Sequence, residues 1–290
     1  MKNIKTIFLF TIVFISLFVL AHLIFLISFS PTETFNEDNY FQNHKNKKVL
    51  AIVSHDDDLV AFSGTFAYLR ELGWQVEYVS FYRGKNDSLE LNRKNELQKV
   101  AEIQKFSDLQ IIDFEFLKEP EKAKSLSVPY DELESVFYLD SLRGYIKNVI
   151  RASNPDIIFS LDDVIGGYGH AEHVIVAQSI RKVSEELKLK GLISTERIYQ
   201  GVYPDSQEKA INGHLSIYQE AMKDYQAPEG MPAPNVQIPI RKYHREKMAA
   251  IKSYASQHNN LKKFIVYYHW YPSWLYFNIF NREFFTIIKI

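Results

Sequence analysis

No cysteine occurs among the 290 residues, which excludes a disulfide framework, a cysteine nucleophile and any metal site built on thiolates. A metal, if there is one, must be held by histidine and carboxylate. An excess of one charge is also lacking. The chain carries 34 Lys and Arg against 35 Asp and Glu, so it has no long-range field of the kind that gathers nucleic acid. No Gly-x-Ser-x-Gly turn is present and Ser63-Gly64 falls in a predicted helix, which leaves a serine hydrolase without its nucleophile elbow. There is no internal repeat.

Charge is missing altogether from Ile7 to Phe29, IFLFTIVFISLFVLAHLIFLISF. As a helix this run covers roughly 30 Å, the thickness of the hydrocarbon core of a bilayer. A cleaved signal peptide is the rival reading, but its apolar region is usually about 7–15 residues and is followed by a small-x-small cleavage site, which is absent here. The organisation expected is a short segment 1–6, a transmembrane anchor 7–29, a polar linker 30–46 and one catalytic domain 47–290. Lys2 and Lys5 precede the span while Glu33, Glu37 and Asp38 follow it. The positive-inside rule then predicts a single-pass membrane protein with its domain outside the cytoplasm. His22, within the span, reads as a tolerated polar residue near one end.

Beyond the linker, strand and helix patterns alternate. Val49–Ser54 (VLAIVS) is a continuous β-branched run of the kind buried on both faces of a sheet. A helical period from Leu59 to Leu72 follows, stopped by Gly73, and then a strand from Trp74 to Phe81. Further helices are predicted at about 89–104, 131–152, 171–190 and 240–254, with strands at 110–114, 156–161 and 197–203. Ala227–Pro239 is proline-rich and predicts an irregular loop. The aromatic C-terminal stretch from Phe264 reads as core and edge packing, or as a lip facing lipid or substrate that works with the anchor. Alternation of this kind predicts an α/β fold, doubly wound around a mostly parallel, Rossmann-like sheet, with the active site at the carboxyl ends of the strands.

Two of those strand ends are rich in acid and histidine. The first is Ser54-His55-Asp56-Asp57-Asp58; the other is Gly166-Gly167-Tyr168-Gly169-His170-Ala171-Glu172-His173. Three adjacent carboxylates repel one another, and a bound cation is a natural reason for keeping them in one turn; a solvated acidic cap on the next helix is the plainer one. His170 and His173, three apart at a helix start, can project toward the same crevice. One of these imidazoles, with His55 and one aspartate, gives the two-nitrogen, one-oxygen composition of a catalytic zinc site with an open position.

His55-Asp56-Asp57-Asp58 after a buried strand, and Tyr168-Gly169-His170-Ala171-Glu172-His173 over a hundred residues later, resemble the PIG-L/LmbE-like N-acetylglucosaminyl deacetylases. Arg93 and Glu96, Asp113-Phe114 and Lys247–Gln257 (KMAAIKSYASQ) add to the likeness, which covers about residues 48–257. The resemblance implies that His55, Asp58 and His173 bind zinc, or another divalent metal, and that Asp57 is the general base. It implies further that His170 and Tyr168 stabilise the oxyanion and that Arg93 contacts substrate. The expected reaction is hydrolysis of the acetamide of an N-acetylated amino sugar, an N-acetylglucosamine conjugate, lipid-linked in view of the anchor and the aromatic tail. The family's first motif is Ala-His-Pro-Asp-Asp-Glu, from which Asp56 (for Pro) and Leu59 (for Glu) depart; Glu172 stands where Asp is common. A non-catalytic, membrane-tethered sugar-binding relative and a metal-dependent phosphoesterase remain the alternatives.

Overall fold

The computed structural model describes residues 2–82, 88–118 and 126–290. Eight strands form one sheet: β1 (Asn36–Glu37), β2 (Lys48–Val53), β3 (Gln75–Tyr82), β4 (Asp108–Asp113), β5 (Ile157–Leu161), β6 (Arg197–Val202), β7 (Val236–Pro239) and β8 (Arg282–Lys289). Their order is β1-β7-β8-β6-β5-β2-β3-β4. The five strands from β6 to β4 are parallel, as the alternation predicts.

The sequence of β2 explains the layering. Val49, Ala51 and Val53 point into one apolar layer, with Phe62, Phe66, Phe159 and Ile251. Leu50 and Ile52 point into the other, with Ile146, Ile150, Ile175 and Ile180. A strand buried on both faces needs apolar residues at consecutive positions, and VLAIV supplies them. The helix Leu139–Ser153 presents Leu142, Ile146 and Ile150 along one side and ends at Asn154, left-handed at φ 45°, whose N–H caps Ile150 O.

From β2 the chain moves outward through β3 to β4, then returns to pair β5 with the opposite edge of β2. The turns after β2 and β5 therefore face each other across the topological switch point, where open α/β sheets bind ligands. These are the two acid- and histidine-rich turns.

Two regions differ from the sequence expectation. The segment expected to be a free tether is docked on the domain. β1 pairs with β7, Phe41 is fully buried, and Trp74 Nε1 donates to Phe41 O at 3.0 Å. One aromatic in a polar stretch carries no period, so the docking is not visible in the pattern. The C-terminal stretch contains β8, which runs antiparallel between β6 and β7, and the Pro-rich loop contains β7. At the other end, Lys5–Ile27 lies in the helix Lys2–Ile27 and is long and apolar enough to cross a membrane.

Candidate active site

After β2, His55 is extended (φ −128°, ψ 154°) and the chain then winds into a short 3-10 helix, Asp56–Ala61. Asp58 caps that helix, its Oδ2 accepting from His55 N at 2.9 Å, so the cap itself holds the Asp58 carboxylate beside the His55 ring. Across the switch point, Gly166, Gly167 and Gly169 all have positive φ (62°, 80° and 106°). A Cβ on Gly166 would lie 2.7 Å from His173 Cβ, so the loop presses on the histidine through a position only glycine can fill.

Buried Asp162 organises that loop. Its Oδ1 accepts from the N–H groups of Val164, Ile165 and Gly166 at 3.1, 2.7 and 3.1 Å, and its Oδ2 from Gly167 at 2.6 Å. Asp162→Ala leaves four N–H groups without this acceptor, each worth about 1–3 kcal/mol when buried. The expected result is a loss of at least about 3 kcal/mol in urea unfolding, with a smaller loss for Asp162→Asn, which keeps one acceptor oxygen.

The two turns bring the side chains of His55, Asp58 and His173 together. His55 Nδ1 lies 2.9 Å from His173 Nε2, His173 Nε2 lies 3.3 Å from Asp58 Oδ1, and His55 Nδ1 lies 3.9 Å from Asp58 Oδ2. Ligand atoms at zinc distances on a tetrahedron are separated by about 3.4 Å, and these contacts, with a different Asp58 oxygen toward each histidine, lie around that spacing. Both rings are oriented from behind. His173 Nδ1 donates to Gly166 O at 2.8 Å and His55 Nε2 to Glu172 Oε2 at 2.8 Å, the arrangement that aims the remaining nitrogens of metal-binding histidines.

His170 is the other nitrogen donor close by, its ligand atom within 4.8 Å of those of His55 and His173. It caps the helix Ala171–Leu189, and its Nδ1 accepts from Glu172 N at 3.2 Å. A ring that accepts at Nδ1 carries its proton on Nε2 and presents a donor to the cleft, not a lone pair. Among the described residues, His55, His170 and His173 form the group of three that could hold a metal ion. Tyr168 stands edge-on to His173 at 5.2 Å between centroids and stacks on Phe264 at 4.3 Å. Burial, then the charges of Asp58 and Asp57, push its phenol well above its ordinary pKa, so it stays protonated.

Charge in the site is distributed unevenly. Burial pulls the His55 imidazole down, but the Glu172 hydrogen bond and the charges of Asp58, Glu172 and Asp57 outweigh it and raise the pKa to about 9. Burial lowers that of His173 despite Asp58. Arg93, from the helix Ser88–Gln104, binds Asp56 Oδ1 through both Nε (2.8 Å) and Nη2, and Asp57 Oδ1 through Nη2 at 2.8 Å. Burial raises the Asp56 carboxyl to about 6 against the pull of Arg93.

A cavity of about 590 Å³ is lined by His55, Asp57, Asp58, Arg93, Tyr168 and His170. His173 stands behind it, fully buried. All seven residues singled out from the sequence therefore converge, although Arg93 is engaged with two aspartates. Asp56 turns to Arg93 and not to the side chains of His55, Asp58 and His173, and Leu59 is buried in the core. Glu96 and Ser256 are joined, Oε1 accepting from Ser256 N at 2.9 Å and Oε2 from Ser256 Oγ at 2.7 Å. That pair ties the helix carrying Arg93 to the KMAAIKSYASQ segment. Sequence reasoning missed the orienting contacts of Glu172 and the loop-building role of Asp162. A glutamate adjacent to His173 was the available signal for the first.

Residues 50–184 match the sequence profile of the PIG-L family, GlcNAc-PI de-N-acetylase. None of the curated proteins compared with the chain matches it. Among solved structures, N,N'-diacetylchitobiose deacetylase from Pyrococcus horikoshii superposes with a TM-score of 0.54 at 19% identity, over 88% of this chain and 87% of that one. A zinc-inhibited form of teicoplanin deacetylase superposes at 0.52 and 13% identity, over 84% and 98%. A 4-carboxy-2-hydroxymuconate hydratase from Pseudomonas putida reaches 0.50 at 16% identity, over 75% and 82%. At such identities the likeness is one of fold, and a fold shared with a hydratase does not by itself select a reaction. The matched residues run from β2 through the helix that carries His173, so the stretch that holds both acid- and histidine-rich turns is the part of the chain that is similar to the PIG-L family.

Proposed function

We propose that the protein is a zinc-dependent deacetylase that hydrolyses the acetamide of an N-acetylated amino-sugar conjugate, lipid-linked and presented at a membrane. The observation that carries this reading is the grouping of His55, Asp58 and His173, set beside the Asp57 carboxylate in one cavity. The PIG-L profile match over residues 50–184 supports the reaction class, and the apolar helix Lys5–Ile27 supports a membrane-bound substrate. Outward placement of the domain rests on the charges flanking that helix.

In this reading His55, Asp58 and His173 hold the zinc. When bound, zinc supplies a Lewis acid that polarises the acetamide carbonyl and makes water acidic enough to attack near neutral pH. Asp57 takes the proton released as water adds to the carbonyl carbon. Tyr168 Oη–H and His170 Nε2–H donate to the carbonyl oxygen as negative charge builds there. The C–N bond then breaks, Asp57 returns its proton to the amine, and acetate and the free amino sugar leave. Arg93 holds Asp57 in place, and substrate contact by its guanidinium requires that it share Asp57 with the ligand.

The test is acetate release from a panel of N-acetylglucosamine conjugates by the full chain in detergent, with zinc and after chelation. Asp58→Ala is expected to abolish both bound metal and turnover. His170→Ala is expected to keep the metal and lose about 10²–10³ in rate, the usual effect of removing one oxyanion donor. If zinc-loaded, folded protein releases acetate from no conjugate, the deacetylase reading falls and a sugar-binding relative replaces it. Released phosphate in place of acetate identifies the phosphoesterase.

A further inference from the structure

The apolar N-terminal helix does not leave the domain freely. Leu26 is fully buried in the domain core and Phe29 packs against the same cluster. One turn earlier, the His22 ring stacks on Trp270 (centroids 5.1 Å apart, interplanar angle 12°), meets Tyr267 edge-on at 5.1 Å, and hydrogen-bonds Tyr271 Oη through Nδ1. Phe25 also packs on Tyr267. His22 is thus gripped by three aromatic residues of the C-terminal stretch.

That grip fixes a depth. His22 lies five residues before Ile27, the end of the apolar span, which at 1.5 Å per residue is about 7–8 Å back along the helix. The 23-residue span measures about 35 Å, some 5 Å more than the hydrocarbon core, so even a centred helix leaves His22 inside the apolar slab near its edge. A ring stacked on His22 sits at the same level. Trp270 and Trp274 are 59% and 61% exposed. An outward-facing indole at that level, as Trp270 is, matches the aromatic belts of membrane proteins, whose rings are amphipathic and favour the headgroup boundary; Trp274 follows four residues on in the chain. Lys262 and Lys263 are exposed in the last turn of the helix His258–Phe264, just before the lip in the chain, and basic side chains of this kind can pair with lipid phosphates.

We propose that Tyr267–Trp274 is a membrane-inserted lip: together with a retained N-terminal helix it seats the domain in the surface of one leaflet, with Trp270 and Trp274 at the headgroup–acyl boundary. The occupant of this exposed aromatic face is lipid. Phe264, Ile265 and Val266, which lead directly into the lip, form part of the wall of the cavity that holds His55, Asp57 and Asp58. Seating the lip therefore brings one wall of that cavity to the membrane surface.

The test uses the full chain reconstituted in phosphatidylcholine vesicles, with bromine placed either high or deep on the acyl chains as a contact quencher. Trp270→Phe and Trp274→Phe each leave a single lip tryptophan. The double variant leaves only Trp74, which is buried in the domain and gives the background. Each remaining lip tryptophan is expected to lose most of its emission to the shallow quencher and less to the deep one, with intact mass showing that residues 1–30 are retained. Emission no more quenched than that of Trp74 overturns the proposal, and a blue-shifted but unquenched ring means that a second copy of the chain covers the face. Loss of the N-terminal segment from the mature protein overturns it as well. Quenching requires no turnover, so failure of the deacetylase reading leaves this result readable.

Discussion

Asp57→Asn is expected to lower kcat for acetate release by about 10³, within the 10²–10⁴ range of a positioned general base, while metal content and urea stability change little. The amide has nearly the shape of the carboxylate but cannot take the proton of the attacking water or return it to the leaving amine. Local geometry makes this substitution a clean one. Arg93 remains bound to Asp56 through Nε and Nη2 after its contact with Asp57 Oδ1 is lost. The main chain of the turn is pinned independently, because Tyr78 and Tyr254 both donate to Asp56 O, at 3.1 and 2.6 Å. The aspartate that departs from the family's proline thus serves here as an anchor for Arg93. Acetate release within tenfold of the unsubstituted protein would remove Asp57 from the role of base and transfer attention to Glu172.

Most of this arrangement is legible in the sequence because it depends on short-range patterns. VLAIV, short and β-branched, reads as a strand buried on both faces, and the turn that follows such a strand opens at the end of the sheet. His170 and His173, three apart at a helix start, had to share a direction. What the sequence hides are contacts between distant segments. Phe41 is a single aromatic in a polar stretch, and its burial depends on Trp74 and Phe159, which no local period reveals. The aromatic C-terminal stretch reads as core and edge packing or as a lip, and no local pattern marks β8, which opens on Arg282 and Glu283, as a strand between β6 and β7. The structure gives Glu283 a reason to be there: it accepts from Gly64 N and Thr65 N at 3.0 and 2.7 Å, at the start of the helix Ser63–Glu71, and pairs with Lys247. The resemblance gives Arg93 a substrate contact, whereas its hydrogen bonds to Asp56 and Asp57 depend on segments far apart in the sequence.

Metal binding is expected to strengthen about tenfold for each pH unit between roughly pH 6 and 9, releasing one proton per ion bound. The hydrogen bonds identify the proton. With its pKa raised to about 9, His55 is a cation at neutral pH, donating from Nε2 to Glu172 and from Nδ1 to His173 Nε2. His173, lowered by burial, is neutral and accepts there. The proton on His55 Nδ1 therefore occupies the space between the nitrogens that a metal would take, and binding must displace it. The sign for stability is opposite. A histidine raised from its ordinary 6.5 to about 9 stabilises the metal-free fold fully below about pH 6.5 and loses that contribution as pH rises through 9. Alkaline conditions thus loosen the metal-free protein while strengthening its hold on the ion. Glu172→Gln separates this account from a general effect of pH. Without the carboxylate His55 falls toward its ordinary value, so the slope of affinity against pH should flatten above about 7. At alkaline pH the variant should bind about 10–100-fold more weakly, because the orienting carboxylate is gone. Calorimetric titration in buffers of different ionisation enthalpy measures the released proton directly. Zinc binding without proton release at pH 7 would mean that His55 is already neutral, and that the short contact between His55 and His173 is not the proton-filled pair described here.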